Sequence, residues 1–201
     1  MSGQTNHIPV KLIHYVLDSF ATGKVMVRSG QIHNQVLNYN IVTEEMIFRE
    51  NNKFLAIAYP EDVDTILIHE RKFIPVNNVF YELISNNKYP LFVKFTSTVK
   101  EPGTQTGFGA TNTTAATSLK SLIREGGAYV LKLPDDFQII PVRTFFVRKN
   151  MHYYPFNNEQ QFTRLFPEKK QFIREWIKDL KTNFSKQEDL ILLIKQLDNF
   201  N

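Results

Sequence analysis

From Lys24 to Thr98 apolar and polar residues trade places with the period of two that marks strands with one face turned to a core. Val25 and Val27 point one way, Lys24, Met26 and Arg28 the other, and Ser29-Gly30-Gln31 supplies a turn. Leu37, Tyr39 and Ile41 share a face opposite Asn38 and Asn40, Met46 to Arg49 stays extended, and Glu50-Asn51-Asn52-Lys53 is a polar turn before Phe54 to Tyr59. After Pro60-Glu61-Asp62, Val63 to His69 is apolar on both faces, as a strand in the middle of a sheet is. Phe73 to Val76, Val79 to Ile84 and Leu91 to Phe95 follow, divided by Asn77-Asn78 and by Ser85-Asn86-Asn87-Lys88. Strands every ten or so residues with polar turns predict an antiparallel β meander, as a curved sheet, a roll or a partly closed barrel, rather than a parallel βαβ fold.

Residues 101–118, with Gly103, Gly107, Gly109 and six threonines, predict a mobile loop. A short helix around Leu119 to Arg124 and a strand from Tyr129 to Leu133 come next. Then a hairpin pairs Arg143–Arg148 with Met151–Phe156 about a turn at Lys149-Asn150.

In the last forty-five residues the period lengthens to that of a helix. Asn157 or Asn158 caps a helix bearing Phe162, Leu165 and Phe166, and Pro167 opens a second whose Phe172, Ile173, Trp176, Ile177 and Leu180 form one face. Ser185 and Glu188 have capping-box spacing ahead of Leu190, Ile191, Ile194 and Leu197 in a third. The expected fold is therefore α+β, with an antiparallel β meander and C-terminal amphipathic helices. Its organisation is an N-terminal segment 1–22, a β-rich body 23–156 and a helical subdomain 158–201.

Composition narrows the chemistry. Hydrophobic residues make up 42% and charged residues 22% of the 201, which suits a folded domain rather than a disordered chain. The absence of cysteine excludes disulfides, thiolate metal sites and cysteine nucleophiles. The net charge of +4 is spread out: residues 1–95 hold nine cations and nine anions, 96–150 seven and four, 151–201 eight and seven. Nucleic-acid binders concentrate positive charge, so nucleic acid is not the expected partner. No run approaches the roughly 18–20 apolar residues of a transmembrane segment. Met1-Ser2-Gly3 reads as an added start, and Gln4-Thr5-Asn6 as the first residues after removal of a signal peptide.

The segments Val36-Leu37-Asn38-Tyr39-Asn40, Thr43-Glu44-Glu45-Met46-Ile47-Phe48, Phe73-Ile74-Pro75-Val76 and Phe156-Asn157-Asn158-Glu159-Gln160-Gln161-Phe162 resemble uncharacterised exported proteins of Bacteroidetes-type bacteria. The resemblance spans most of the chain. It implies a periplasmic or extracellular protein and brings no catalytic residues with it.

Local motifs assign neither a catalytic residue nor a metal or cofactor. His7, His14, His33, His69 and His152 stand singly, and His69-Glu70 is followed by Phe73 where a zinc motif needs a second histidine. Glu61, Asp62 and Asp64 lack the twelve-residue spacing of a calcium loop, and read as a solvated turn. Gly103, Gly107 and Gly109 lack the Gly-Lys-Ser/Thr of a phosphate loop. Glu44-Glu45 and Asp135-Asp136 are neighbours, which a strand sends to opposite faces. Phe145, Phe146, Tyr153 and Tyr154 beside Arg148 and Lys149 could stack on sugars or single-stranded nucleic acid, but alternate as core residues of a half-buried strand do. The expected function is a non-enzymatic exported accessory, binding or structural module for a protein or surface ligand. The alternatives are a hydrolase-type enzyme with a site assembled from distant residues and a nucleic-acid-binding protein.

Overall fold

The computed structural model describes residues 12–100, 119–121, 123–125, 127–133 and 137–200. The loop expected at 101–118, His7, the opening tripeptide and Asp135-Asp136 lie outside them.

Ten strands hydrogen-bond into one antiparallel sheet: β1 Ala21–Val27, β2 Ile32–Asn40, β3 Glu45–Glu50, β4 Lys53–Ala56, β5 Val63–Ile68, β6 Arg71–Val76, β7 Val79–Ser85, β8 Leu91–Lys100, β11 Gln138–Lys149 and β12 His152–Phe156. Two-residue strands β9 (Arg124–Glu125) and β10 (Ala128–Tyr129) pair with each other. Helices α1 (Glu159–Arg164), α2 (Lys170–Leu180) and α3 (Gln187–Asn199) close the chain. The sheet order is β12-β11-β8-β7-β6-β5-β1-β2-β3-β4, so it has two ends and is not closed. This is the α+β meander with C-terminal helices that the periodicity predicts, and β5 holds the interior position foreseen for Val63–His69.

Two-residue turns set the registers. Asn51-Asn52 and Asn77-Asn78 both take positive φ, the signature of the type I′ turn whose twist matches that of its strands. The β11–β12 hairpin turns at Asn150-Met151, one residue later than expected, because Lys149 pairs with His152.

The chain divides into two compact units. The first takes the chain up to Thr22, then Asn34–Ala58 and Thr96–Val142; the second takes Gly23–His33, Tyr59–Phe95 and Arg143–Asn201. In the first, Leu12, Tyr15, Ile47 and Tyr129 form a core flanked by Phe20, Phe54, Ala56 and Leu131. Its helical turn covers Leu119–Ser121 with Ile123 N–H donating to the Leu119 carbonyl, and Arg124 is already in β9. The strand expected over 129–133 stops at Tyr129, the last residue of β10.

In the second unit the helices cover one face of the strands. Phe162, Ile173, Ile177, Leu190, Leu193, Ile194 and Leu197 pack on Leu91, Val93, Phe145, Val147 and Phe156. Burial of each such side chain stabilises by about 1.5–3 kcal/mol. Asn158 caps α1, its side chain accepting from Gln161 N–H at 2.9 Å. Two helix expectations need correction. Phe172 and Leu180 are exposed, so the buried stripe of α2 is narrower than its apolar pattern. Ser185 and Glu188 form no capping box: Ser185 N–H donates to Asn183 Oδ1, and Asp189 reaches back to accept from Asn183 N–H.

Candidate functional site

Two groupings stand out, one sealed and one partly exposed. The sealed one lies in the first unit. Residues 14–17 run along the end of β2: Val16 N–H donates to the Tyr39 carbonyl, and Ile41 N–H to that of His14. Asn38 and Asn40 do alternate with Leu37 and Tyr39, but all four are buried, because this segment lies over what a simple meander would leave open. Asn38 Oδ1 accepts from Leu17 N–H at 3.0 Å and from Tyr39 N–H at 2.9 Å. Its Nδ2 donates to the carbonyls of Leu17 (2.8 Å) and Ser19 (3.3 Å). Asn40 Oδ1 accepts from Val42 and Thr43 N–H, turning the chain into β3.

Around these amides sit the titratable groups furthest from their ordinary values. His14 is 1% exposed, its ring lies 4.4 Å from that of Tyr15, and neither ring nitrogen has a hydrogen-bond partner among the described residues. Burial lowers its pKa to about 4, so the imidazole is neutral at physiological pH. Burial also pushes both the Tyr15 and the Tyr129 phenols upward, and the Glu45 carboxylate, which accepts from the Tyr129 hydroxyl, adds to the rise of each. The grouping holds a histidine, a carboxylate and two phenols, yet His14, Tyr15 and Tyr129 are sealed from solvent.

The remaining described histidines and the acidic turn at Glu61-Asp62 lie apart from this grouping. Among the described residues no three His, Asp or Glu side chains come together as a metal cage. Asp64 accepts from the Thr65 hydroxyl, while Glu61 and Asp62 take Arg28 on their backbone carbonyls. His33 and His152 lie exposed on strands and His69 in a turn at positive φ. Glu44 sits at positive φ in the turn before β3, and Glu45, the first residue of β3, turns to Tyr129. Among the described residues no helix is long and apolar enough to cross a membrane.

The second grouping is the face of the second unit's strands turned away from α1 to α3, exposed at Lys24, half-buried at Leu67, Lys72 and Leu83, and buried at Tyr81 and Phe92. Strand register fixes its membership: Lys24 pairs with Leu67, Leu67 with Lys72, Lys72 with Leu83 and Leu83 with Phe92. Paired residues share a face. One line across five strands therefore reads cation, leucine, cation, leucine, aromatic. On the same face Tyr81 lies 4.8 Å from Phe146 and 5.8 Å from Tyr153, and Phe92 lies 5.1 Å from Tyr153. Arg148 stands over the Phe92 ring at 5.7 Å. Lys94, two residues beyond Phe92, adds a fourth cation. The described strand positions of this face in β6 to β8, β11 and β12 carry no carboxylate; Asp64, at the bulge of β5, accepts from the Thr65 hydroxyl beside Met26, and Glu82, on the other face, is held by Arg71 through two bonds of 2.7 and 2.8 Å.

No protein-family model matches this chain, and neither a curated protein nor a solved structure does.

The aromatic hairpin singled out in the sequence divides between the faces. Phe145, opposite Phe156, belongs to the helix-packed core, whereas Phe146, and Tyr153 opposite Arg148, belong to the open face. Tyr154 pairs with Val147 and so leaves the open face. Lys149 turns to the helices, donating to the Leu165 carbonyl at 2.9 Å. Lys24, Lys72 and Lys94 escape a reading of the hairpin because they come from three separate strands. The alternations Lys72-Phe73-Ile74, Phe92-Val93-Lys94 and Phe146-Val147-Arg148 were the available signal.

Proposed function

We propose that this chain is a non-enzymatic, exported binding module whose ligand lies on the face of β1, β5 to β8, β11 and β12 turned away from α1 to α3. The observation that carries the reading is the excess of cations on that face: Lys24, Lys72, Lys94 and Arg148 interleaved with apolar and aromatic side chains, with Asp64 at the β5 bulge as the carboxylate among its described strand positions. Sheet faces that only await solvent ordinarily mix both signs. The resemblance of Val36–Asn40 and Thr43–Phe48 to exported proteins of Bacteroidetes-type bacteria supports a periplasmic or extracellular location. A hydrolase reading draws less support, since catalytic acids and bases need access to substrate and the most perturbed groups are enclosed. Nucleic acid draws less support too, because Tyr153, opposite Arg148, and Tyr154, opposite Val147, stand on different faces, and Lys149 turns to the helices.

Cell fractionation together with binding to envelope polymer isolated from the natural host tests this reading. Wild-type protein should reside outside the cytoplasm and bind, and Lys72→Glu should bind less. A cytosolic protein removes the export, and release of reducing ends or other cleavage of the polymer removes the non-enzymatic assignment.

A further inference from the structure

Resting on that reading, we infer that the ligand is an acidic polysaccharide chain lying across the strands, along the line Lys24, Leu67, Lys72, Leu83. The spacing argues for this class. Neighbouring strands are about 4.8 Å apart, so Lys24 and Lys72, two strands apart, sit about 10 Å from each other. Two linked pyranose rings cover that distance, and a chain charged at every second sugar meets one lysine per disaccharide. Leu67, between the two cations, and Leu83, beyond Lys72, are half-buried and offer apolar ground to the C–H faces of the rings. Neither Lys24 nor Lys72 is ion-paired among the described residues, so both can take a carboxylate or sulfate.

The same geometry disfavours the other polyanions. Nucleic acid carries a phosphate roughly every 3.4 Å along each strand of a duplex and binds single strands by stacking bases on free ring faces. Here the cations are sparser, and the rings of Tyr81, Phe92, Phe146 and Tyr153 lean on one another. An anionic membrane calls for protruding apolar side chains, whereas Leu67, Leu83, Phe92 and Phe146 are all buried or half-buried.

Affinity electrophoresis of the full chain through gels holding polygalacturonate, heparin, neutral hydroxyethylcellulose or no polymer tests the inference, with oligo(dT) and phosphatidylglycerol vesicles as competitors. Retardation by at least one acidic polysaccharide and weaker retardation by the neutral one are expected. The double variant Lys24→Glu, Lys72→Glu should weaken binding roughly tenfold or more, while Lys195→Glu on the exposed side of α3 should leave it unchanged. Circular dichroism and urea unfolding of each variant separate lost binding from lost folding. Equal retardation by the neutral polymer overturns the acidic class and leaves the binding module standing. Tighter binding of oligo(dT) or of vesicles overturns it in favour of those ligands. Retardation in none of the gels overturns both the inference and the binding face, and undiminished binding by the folded double variant overturns the placement.

Discussion

The side-chain amide of Asn38 makes with Leu17 both hydrogen bonds that a neighbouring strand's peptide group would make, accepting from its N–H at 3.0 Å and donating to its carbonyl at 2.8 Å. The residue is fully buried, so water offers no substitute partner. Asn38→Ala should cost about 2–4 kcal/mol of unfolding free energy, since backbone groups of residues 17 and 19 lose their partner. Asn38→Asp should cost at least as much, because a carboxylate cannot donate and its charge would be enclosed. Urea unfolding of both variants checks this; a loss under about 1 kcal/mol would show that the 14–19 segment does not depend on Asn38.

Acid should weaken the protein through His14. Its folded pKa of about 4 lies below the unfolded value near 6.5, so between those limits the unfolded chain takes up a proton that the folded chain refuses. Stability from this residue is complete above pH 6.5, falls as pH drops and levels off below 4, a total change of about 3 kcal/mol. His14→Gln should remove this component, so the gap between wild type and variant, measured by urea unfolding at about pH 7 and about pH 4.5, must shrink on the acid side. A gap independent of pH would rule out a buried neutral imidazole.

Arg71 grips Glu82 by two bonds and lies 5.4 Å from the rings of both Phe73 and Phe95. The carboxylate side chain is 10% exposed and the guanidinium 28%, so solvent screening is partial. Arg71→Ala should destabilise by about 2–3 kcal/mol, less than a fully buried pair, because Glu82 is left unpaired. Arg71→Met combined with Glu82→Leu should recover most of that loss. A double variant no more stable than Arg71→Ala would show that the pair itself stabilises the sheet.

Met151 occupies the second turn position at φ 63° with 79% of its surface exposed. A side chain is strained there and gains little from contacts, so Met151→Gly should raise stability by about 0.5 kcal/mol after allowing for glycine's greater freedom in the unfolded chain. Asn78→Gly, at φ 65° in a residue that tolerates this conformation, should gain less. Thermal unfolding of the two variants compares them directly.

Local pattern determined a good deal of this protein by itself. The twofold alternation placed the strands, paired asparagines marked two of the turns, and the longer period of the tail placed the helices, because each signal is carried by neighbours in the chain. What lay outside its reach depends on residues far apart in sequence. Asn38 and Asn40 look like solvent-facing positions until residues 14–17 are laid along β2, and only that pairing turns them into buried ligands of the backbone. Ser185 and Glu188 have capping spacing, yet Asn183 and Asp189 close the turn first. The candidate site was hidden for the same reason. Lys24, Leu67, Lys72, Leu83 and Phe92 are scattered over about seventy residues, and each is an unremarkable member of its own strand. Only the antiparallel registers, fixed by turn geometry and by burial of the opposite face, bring them into one line.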